Sequence, residues 1–408
     1  MNKVKGTCAP QHGWWQKPQL HFEEEQGTHR KVTWLELFYD LVFVVAVAQI
    51  AHQFAGHLDW HGAAEFVMLL VPVWWIWIGG TIYNERFESR GLENRFFFFL
   101  QMLAVGGIAL FAHHGTGENA IGFTLSYIFA RGLICYLFLR GGYHNPVFRP
   151  VSTRYATGFI LSLVLWTISI WVPAPGKFLL WYGGMGLELA APWFTLKHQS
   201  ALPRFSTSKM PERYGLFTII VLGEGLVGAI SGVAEHHHPS LDTIVQGALA
   251  MLLSFLLWWT YFDFVARRVP RPSTRNIILW SYAHLPLVLC IVAVGAASLN
   301  LVAGEPHAEM AQNVRLLFAA SVAGVLCAIA FLETRLATAA EEPTHPLVSP
   351  LLKVVVGAVV LGIGFGGLPG SAVWFLVCVL AVLALPPAYG AWVWFQKPEA
   401  HDAGHYVG

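Results

Sequence analysis

Apolar runs of about 20 residues, each long enough to span roughly 30 Å of hydrocarbon, recur from end to end of the chain. Short polar connections carrying most of the Lys and Arg separate them. Hydropathy and helix-breaking residues predict helices over 34–55, 63–83, 96–113, 119–140, 155–173, 177–196, 213–233, 243–265, 277–303, 313–333, 350–368 and 371–395. The expected fold is an all-α integral membrane protein of twelve transmembrane helices. Charge placement supports that count. With a cytoplasmic N-terminus, all of the 25 Lys and Arg except Lys177, Arg315 and Arg131 fall in the tails or in cytoplasmic connections. The positive-inside rule asks for this asymmetry, and it puts both termini in the cytoplasm.

The chain also repeats an order of segments. "WLELFYDLVFVVAVAQ" opens the first half and "PERYGLFTIIVLGEGLVGAI" the second. Each is followed by an aromatic-rich span, "VPVWWIWIGGTIYNERF" and "LLSFLLWWTYFDFVARR", with Tyr83 and Tyr261 in corresponding places. The expected organisation is a cytoplasmic N-terminal tail (1–33), a first six-helix unit (34–196), a charged cytoplasmic hinge (197–212), a second six-helix unit (213–395) and a short C-terminal tail (396–408). Six spans per unit is an even number, so the two repeats are parallel, not inverted.

Composition removes other classes. Hydrophobic residues make up 55% of the 408 and charged residues 12%, about half the charged share of a soluble domain. A net charge of +1 and the lack of a basic stripe argue against nucleic acid as a partner. Four of the five cysteines (Cys135, Cys290, Cys327 and Cys378) fall in apolar spans without a CxxC pair, so neither a disulfide frame nor a thiolate zinc site is expected. The first apolar run follows some 33 mostly polar residues, a layout that predicts a retained first span and not a cleaved leader. No cofactor is implied; the lipid bilayer is the one certain partner.

Ionisable side chains inside hydrocarbon are costly, so each needs a partner or a purpose. At about 1.5 Å per residue, Glu224 lies ~16 Å from the inner edge at Arg213. Arg131, Glu188 and His284 each lie ~13 Å from theirs, on the same rise. Two acids, one permanent cation and one imidazole thus share a layer near the midplane. Pairing of Arg131 with Glu188 or Glu224 would pin the bundle; the remaining acid and histidine would suit a proton or cation path. Glycines crowd Glu224 in "VLGEGLVGAISG" and Glu188 in "YGGMGLELAAPW", compatible with close helix packing or with local unwinding.

Glu36 and Asp40 share a face, i and i+4, at the start of the first span. They read either as acids favoured by the helix dipole or as a vestibule that collects cations. Outer histidines are dense, and His57, His61, His236, His237 and His238 are the weak candidates for a metal site. A homo-oligomer through Gly228/Gly232 or Gly362/Gly366 is compatible with the small-residue spacing.

The combination of "TWLELFYDLVFVVAVAQIAH" and "ERYGLFTIIVLGEG", with "LELAAP" and "SYAHLPLVL", resembles the bacterial low temperature requirement A (LtrA) family over about residues 30–395. The resemblance implies a multi-pass protein of the bacterial cytoplasmic membrane, linked to growth in the cold, and names no reaction. A weaker likeness, in "ELFYDLVFVVAVA", is to the first-span signature of the endolysosomal potassium channel family. Phe38, Tyr39 and Asp40 stand where that family has Phe-Ser-Asp. The second half departs from it, with Ile219 in place of the acid and Glu224 further on.

These residues favour conduction or transport of a small cation, a proton or a monovalent metal ion. The expected pathway residues are Glu36, Asp40, Glu188, Glu224, His284 and Arg131. Two rivals stand beside it: a membrane-embedded enzyme acting on a lipid or isoprenoid, with His284 and Glu188 as its acid–base pair, and a non-transporting scaffold or sensor. No nucleophile, base and oxyanion set is present to define a reaction, so the enzyme reading is the less favoured.

Overall fold

Helix α1 (Trp34–Gly56) begins where the sequence supplies its own cap. Thr33 Oγ1 accepts from the Glu36 N–H (3.3 Å), and Glu36 Oε2 accepts from the Thr33 N–H (2.9 Å). This reciprocal capping box satisfies amide groups that a helix start leaves orphaned. A computed structural model of the chain describes residues 15–20, 32–88, 91–203, 205, 209–266, 268–305, 309–337, 344–366 and 371–396.

Strand β1 (Gln19–Leu20) pairs antiparallel with β2 (Phe87–Glu88), which follows helix α2 (Trp60–Arg86). Then come α3 (Leu92–Ala112), α4 (Ala120–His144), α5 (Arg149–Ile168), α6 (Gly176–Phe194) and the single turn α7 (Leu196–Gln199). The remaining helices are α8 (Lys209–Ala234), α9 (Leu241–Tyr261), α10 (Thr274–Ala303), α11 (Gln312–Glu333), α12 (Val348–Gly366), α13 (Ala372–Leu383) and α14 (Leu385–Phe395). Ser240 and Ser273 cap α9 and α10, accepting from the amides of Thr243 and Asn276.

Among the described residues eleven helical stretches are long and apolar enough to cross a membrane. The predicted span 177–196 forms α6, 19 residues long, but is not one of the eleven. Lys177, Glu188, Pro192 and its glycines dilute its apolar content. The last crossing runs through α13 and α14 together.

Side-chain placement inverts that of a soluble protein. Trp34, Phe38, Leu41 and Val45 form an outward stripe on α1, and Phe96, Phe99, Leu103 and Leu110 one on α3. Polar groups such as Gln101, Arg131, Glu188, Gln246 and His284 are buried. An exterior this apolar suits lipid, not water. Several buried hydroxyls are satisfied within their own helices: Thr81, Thr124, Thr218 and Thr260 each donate to the carbonyl four residues back, as suits a medium without water.

The chain divides into two compact units. One comprises Thr33–Ala46 and Pro72–Ser206 with the described N-terminal residues. In it α3 packs on α4, α4 on α5 and α5 on α6. Part of the expected N-terminal tail is docked here: Arg140 donates to the Gln16 carbonyl, Asn145 to that of Pro18 (2.9 Å), and Trp15 lies edge-on to Phe97. Part of the expected hinge is held too, with Arg86 donating to the Pro203 carbonyl and lying 3.7 Å over the Phe205 ring.

The other unit comprises Val47–Val71 and Thr207–Gly408 with the short stretch before Thr33. Here α8 packs on α9 and, most extensively, on α10; α10 packs on α11, α11 on α12, α12 on α13, and α13 returns to α9. Glycine sets the closest of these approaches. A Cβ on Gly295 of α10 would stand 2.8 Å from the Glu224 carbonyl of α8. The ends of α1 and α2 in this unit stack through Phe54 and Phe66, and Asn300 donates to the Ala55 carbonyl (2.7 Å).

Candidate functional site

Arg131 on α4 and Glu188 on α6 meet in the core of the first unit. Arg131 Nε lies 2.5 Å from Glu188 Oε2, and neither side chain is more than 1% exposed. The Tyr127 hydroxyl, one turn before Arg131, donates to Glu188 Oε1 at 3.2 Å. The guanidinium lies 3.9 Å over the Phe159 ring, while Trp166 stacks on Tyr127 and on Trp181. An ion pair in so dry a place is held by mutual attraction and ring quadrupoles that offset part of its desolvation. α2 makes room for it with adjacent glycines. A Cβ on Gly79 would come within 2.6 Å of Arg131 Nη1, and one on Gly80 within 2.5 Å of the Tyr39 hydroxyl.

Tyr39 and Asp40 lie next to each other on α1 and are both fully buried. Tyr39 donates to Gln101 Oε1 (2.8 Å), and Asp40 Oδ1 accepts from the Trp77 indole N–H (2.8 Å). Glu36, also buried, spends one oxygen on Thr33. The two opening carboxylates therefore share a face and are each engaged by a donor of their own unit.

The second unit holds the other two expected residues and does not bring them into contact with one another. His284 on α10 is 1% exposed and uses both ring nitrogens: Nδ1 bonds the Trp280 carbonyl (2.8 Å), and Nε2 bonds the Tyr261 hydroxyl (3.1 Å). The carbonyl can only accept, so Nδ1 carries the proton and Nε2 accepts from Tyr261. Tyr214 and Trp280 pack against the ring. Glu224 on α8 is different. It is buried, with 8% exposure, and among the described residues it makes no hydrogen bond or ion pair.

One buried charge cluster was not anticipated. Lys353 of α12 lies 2.9 Å from Glu333 of α11, with 1% and 3% exposure, and Arg268 approaches the same carboxylate at 3.7 Å. Lys353 also donates to Ser349 Oγ (2.8 Å) and sits over the Phe264 ring. Both residues fall at span ends, where charges are ordinary, so their position along the chain carries no signal of burial.

No group of three or more His, Cys, Asp or Glu that could hold a metal ion occurs among the described residues. His57, His61, His236, His237 and His238 are not gathered into a ligand set. His61 lies 3.9 Å from Glu65, one turn on, and His236 bonds the Val302 carbonyl (3.2 Å).

A multi-pass helical body, apolar outside, with buried charge in both halves is the frame on which the comparisons fall. The model of the bacterial low temperature requirement A protein (LtrA) matches residues 31–400. The chain belongs to the LtrA family. An uncharacterized protein of Rhizobium meliloti (strain 1021) is 27% identical over 316 residues, covering 71% of this chain and 75% of that one. No solved structure matches the chain. LtrA membership and the eleven apolar crossings together define a multi-pass membrane protein of a bacterial family.

Proposed function

We propose that this LtrA protein moves a small cation, a proton or a monovalent metal ion, across the bacterial cytoplasmic membrane, and that Glu224 is the acid that handles it. The observation that carries this reading is the contrast among the six expected pathway residues. Glu36 closes a capping box, Asp40 is held by Trp77, Arg131 and Glu188 neutralise each other, and His284 has both nitrogens bonded. Glu224 alone is a buried acid without such a partner among the described residues. A carboxylate in that position is costly in its charged form and lowers its free energy by taking up a proton or a cation.

On this reading the first unit is the rigid part, its charges closed on each other, and the second carries the working acid. The Arg131–Glu188 pair ties α6 to the middle of α4, which supports α6 as a twelfth crossing. Twelve crossings would put both termini on one side, which agrees with two parallel six-helix repeats whose ends lie in the cytoplasm. The test is ion flux into proteoliposomes of the purified protein under imposed proton, potassium or sodium gradients. Flux that disappears in Glu224→Gln, with fold and oligomer unchanged, supports the proposal. Undiminished flux in that variant removes Glu224 from the pathway, and no flux of any ion from folded wild-type protein overturns transport itself.

A further inference from the structure

The connection from α9 to α10 and the end of α11 form a small antiparallel ladder in the second unit. Pro270 bridges Leu336, the Ala337 amide donates to the Val269 carbonyl (2.8 Å), and the Arg271 amide donates to the Arg335 carbonyl (3.0 Å). This register sets Arg271 directly opposite Arg335, a pairing that brings Cβ atoms to about 5 Å and is unfavourable for like charges. Nothing acidic among the described residues relieves it. Glu333 is already shared by Lys353 and Arg268, and Asp263 accepts from the Trp259 indole. Arg271 and Arg335 have no ion-pair partner among the described residues.

Their surroundings hold the two guanidinium groups in place. Arg271 Nε donates to the Leu336 carbonyl (3.1 Å), which fixes the orientation of its planar fork. Arg335 lies 4.8 Å over the ring of Phe331, and its buried Nε has no hydrogen-bond partner. Phe331 is 40% exposed on a helix long and apolar enough to cross the membrane, one turn before Arg335. Two fixed forks that repel each other, with an unspent donor between lipid-facing ring and ladder, match a phosphate oxyanion that enters from the bilayer side.

We propose that Arg271 and Arg335 form a binding site for the phosphate of an anionic phospholipid, its glycerol and acyl region lying along Phe331. This site is independent of Glu224 and of ion transport. The experiment uses the full-length protein in detergent, titrated with phosphatidylglycerol, phosphatidylcholine or inorganic phosphate, with native mass spectrometry and the thermal midpoint as readouts. Phosphatidylglycerol is expected to be retained and to raise the midpoint. Retention should fall about fivefold for each arginine removed in R271Q and R335Q, and R154Q, an exposed arginine of the other unit, should behave as wild type. Should the glutamine variants fail to fold, R271K/R335K keeps both charges but loses the planar forks, and its retention should still fall. Phosphatidylglycerol retention equal to wild type in R271Q and R335Q, or in R271K/R335K, overturns the site. Equal binding of phosphatidylcholine overturns its anionic preference, and equal protection by inorganic phosphate overturns the lipid as occupant.

Discussion

Arg131 and Glu188 are paired at 2.5 Å on helices α4 and α6, with side chains 1% and 0% exposed and the Tyr127 hydroxyl on the second carboxylate oxygen. Removing one member strands the other's charge in a dry core, which typically costs about 3–5 kcal/mol. Arg131→Met and Glu188→Gln should each lower the thermal midpoint in detergent sharply. The double variant Arg131→Met/Glu188→Gln should recover much of that loss, because no buried charge remains. A double-mutant cycle checks this, and strict additivity of the two losses would remove the pair as a structural unit.

Glu224→Gln should behave oppositely to Glu188→Gln. No described partner is lost and a costly buried charge is replaced by a neutral amide, so the stability change should stay within about 1 kcal/mol of zero. Thermal unfolding of both variants side by side is the measurement. A loss for Glu224→Gln as large as for Glu188→Gln would mean that the Glu224 carboxylate has a structural ion partner.

The glycine pair on α2 is a packing requirement with a specific victim on each side. Gly79→Ala drives a methyl group against Arg131 Nη1, and Gly80→Ala drives one against the Tyr39 hydroxyl and Gln101 Oε1. Overpacking of this kind costs about 1–3 kcal/mol. Gly132→Ala, where a Cβ meets nothing within 4 Å, is the control and should be neutral or slightly stabilising. Equal midpoints for all three would refute the crowding at α2.

The crossings were legible because the bilayer imposes a length and a polarity that few other folds share, and Lys and Arg placement orders them. The sixth marks the limit. The sequence placed it at 177–196, yet Lys177, Glu188, Pro192 and its glycines keep α6 out of the eleven helices apolar enough to cross, and the cation that compensates Glu188 lies 57 positions earlier in sequence, at Arg131. Pairing is a tertiary fact: Arg131, Glu188 and Glu224 read alike along the chain, and only packing separates a neutralised acid from an unpartnered one. Glu36 was readable locally, since Thr33-x-x-Glu36 spells a capping box, yet its place at the mouth of a span invites a grander role. Lys353 and Glu333 left no trace, because charges at span ends are expected to face water.

That capping box yields a prediction of its own. Thr33→Ala removes the acceptor for the Glu36 amide and one of the donors to its carboxylate, which should cost about 1 kcal/mol. The loss should be local, so hydrogen exchange of the first turn of α1 should quicken while the α4 and α6 amides keep their protection. Thr33→Ser, which keeps the hydroxyl, should restore most of it. Uniform loss of protection in both places would assign Thr33 a wider role than a cap.

Lys353, Glu333 and Arg268 allow a sharper test, because one carboxylate serves two cations at unequal distances, 2.9 Å and 3.7 Å. Lys353→Met leaves Glu333 with Arg268 already close, so its cost should fall short of the 3–5 kcal/mol typical of a broken buried pair, at about 2 kcal/mol. Glu333→Gln should cost more, since it leaves two cations facing each other with only Ser349 to receive the lysine. The compensation predicts coupling: Lys353→Met should be markedly more damaging in an Arg268→Gln background than in wild type. Additivity of those two changes within about 0.5 kcal/mol would show that Arg268 does not stand in for the lysine, and that the α11–α12 contact rests on the Lys353–Glu333 pair alone.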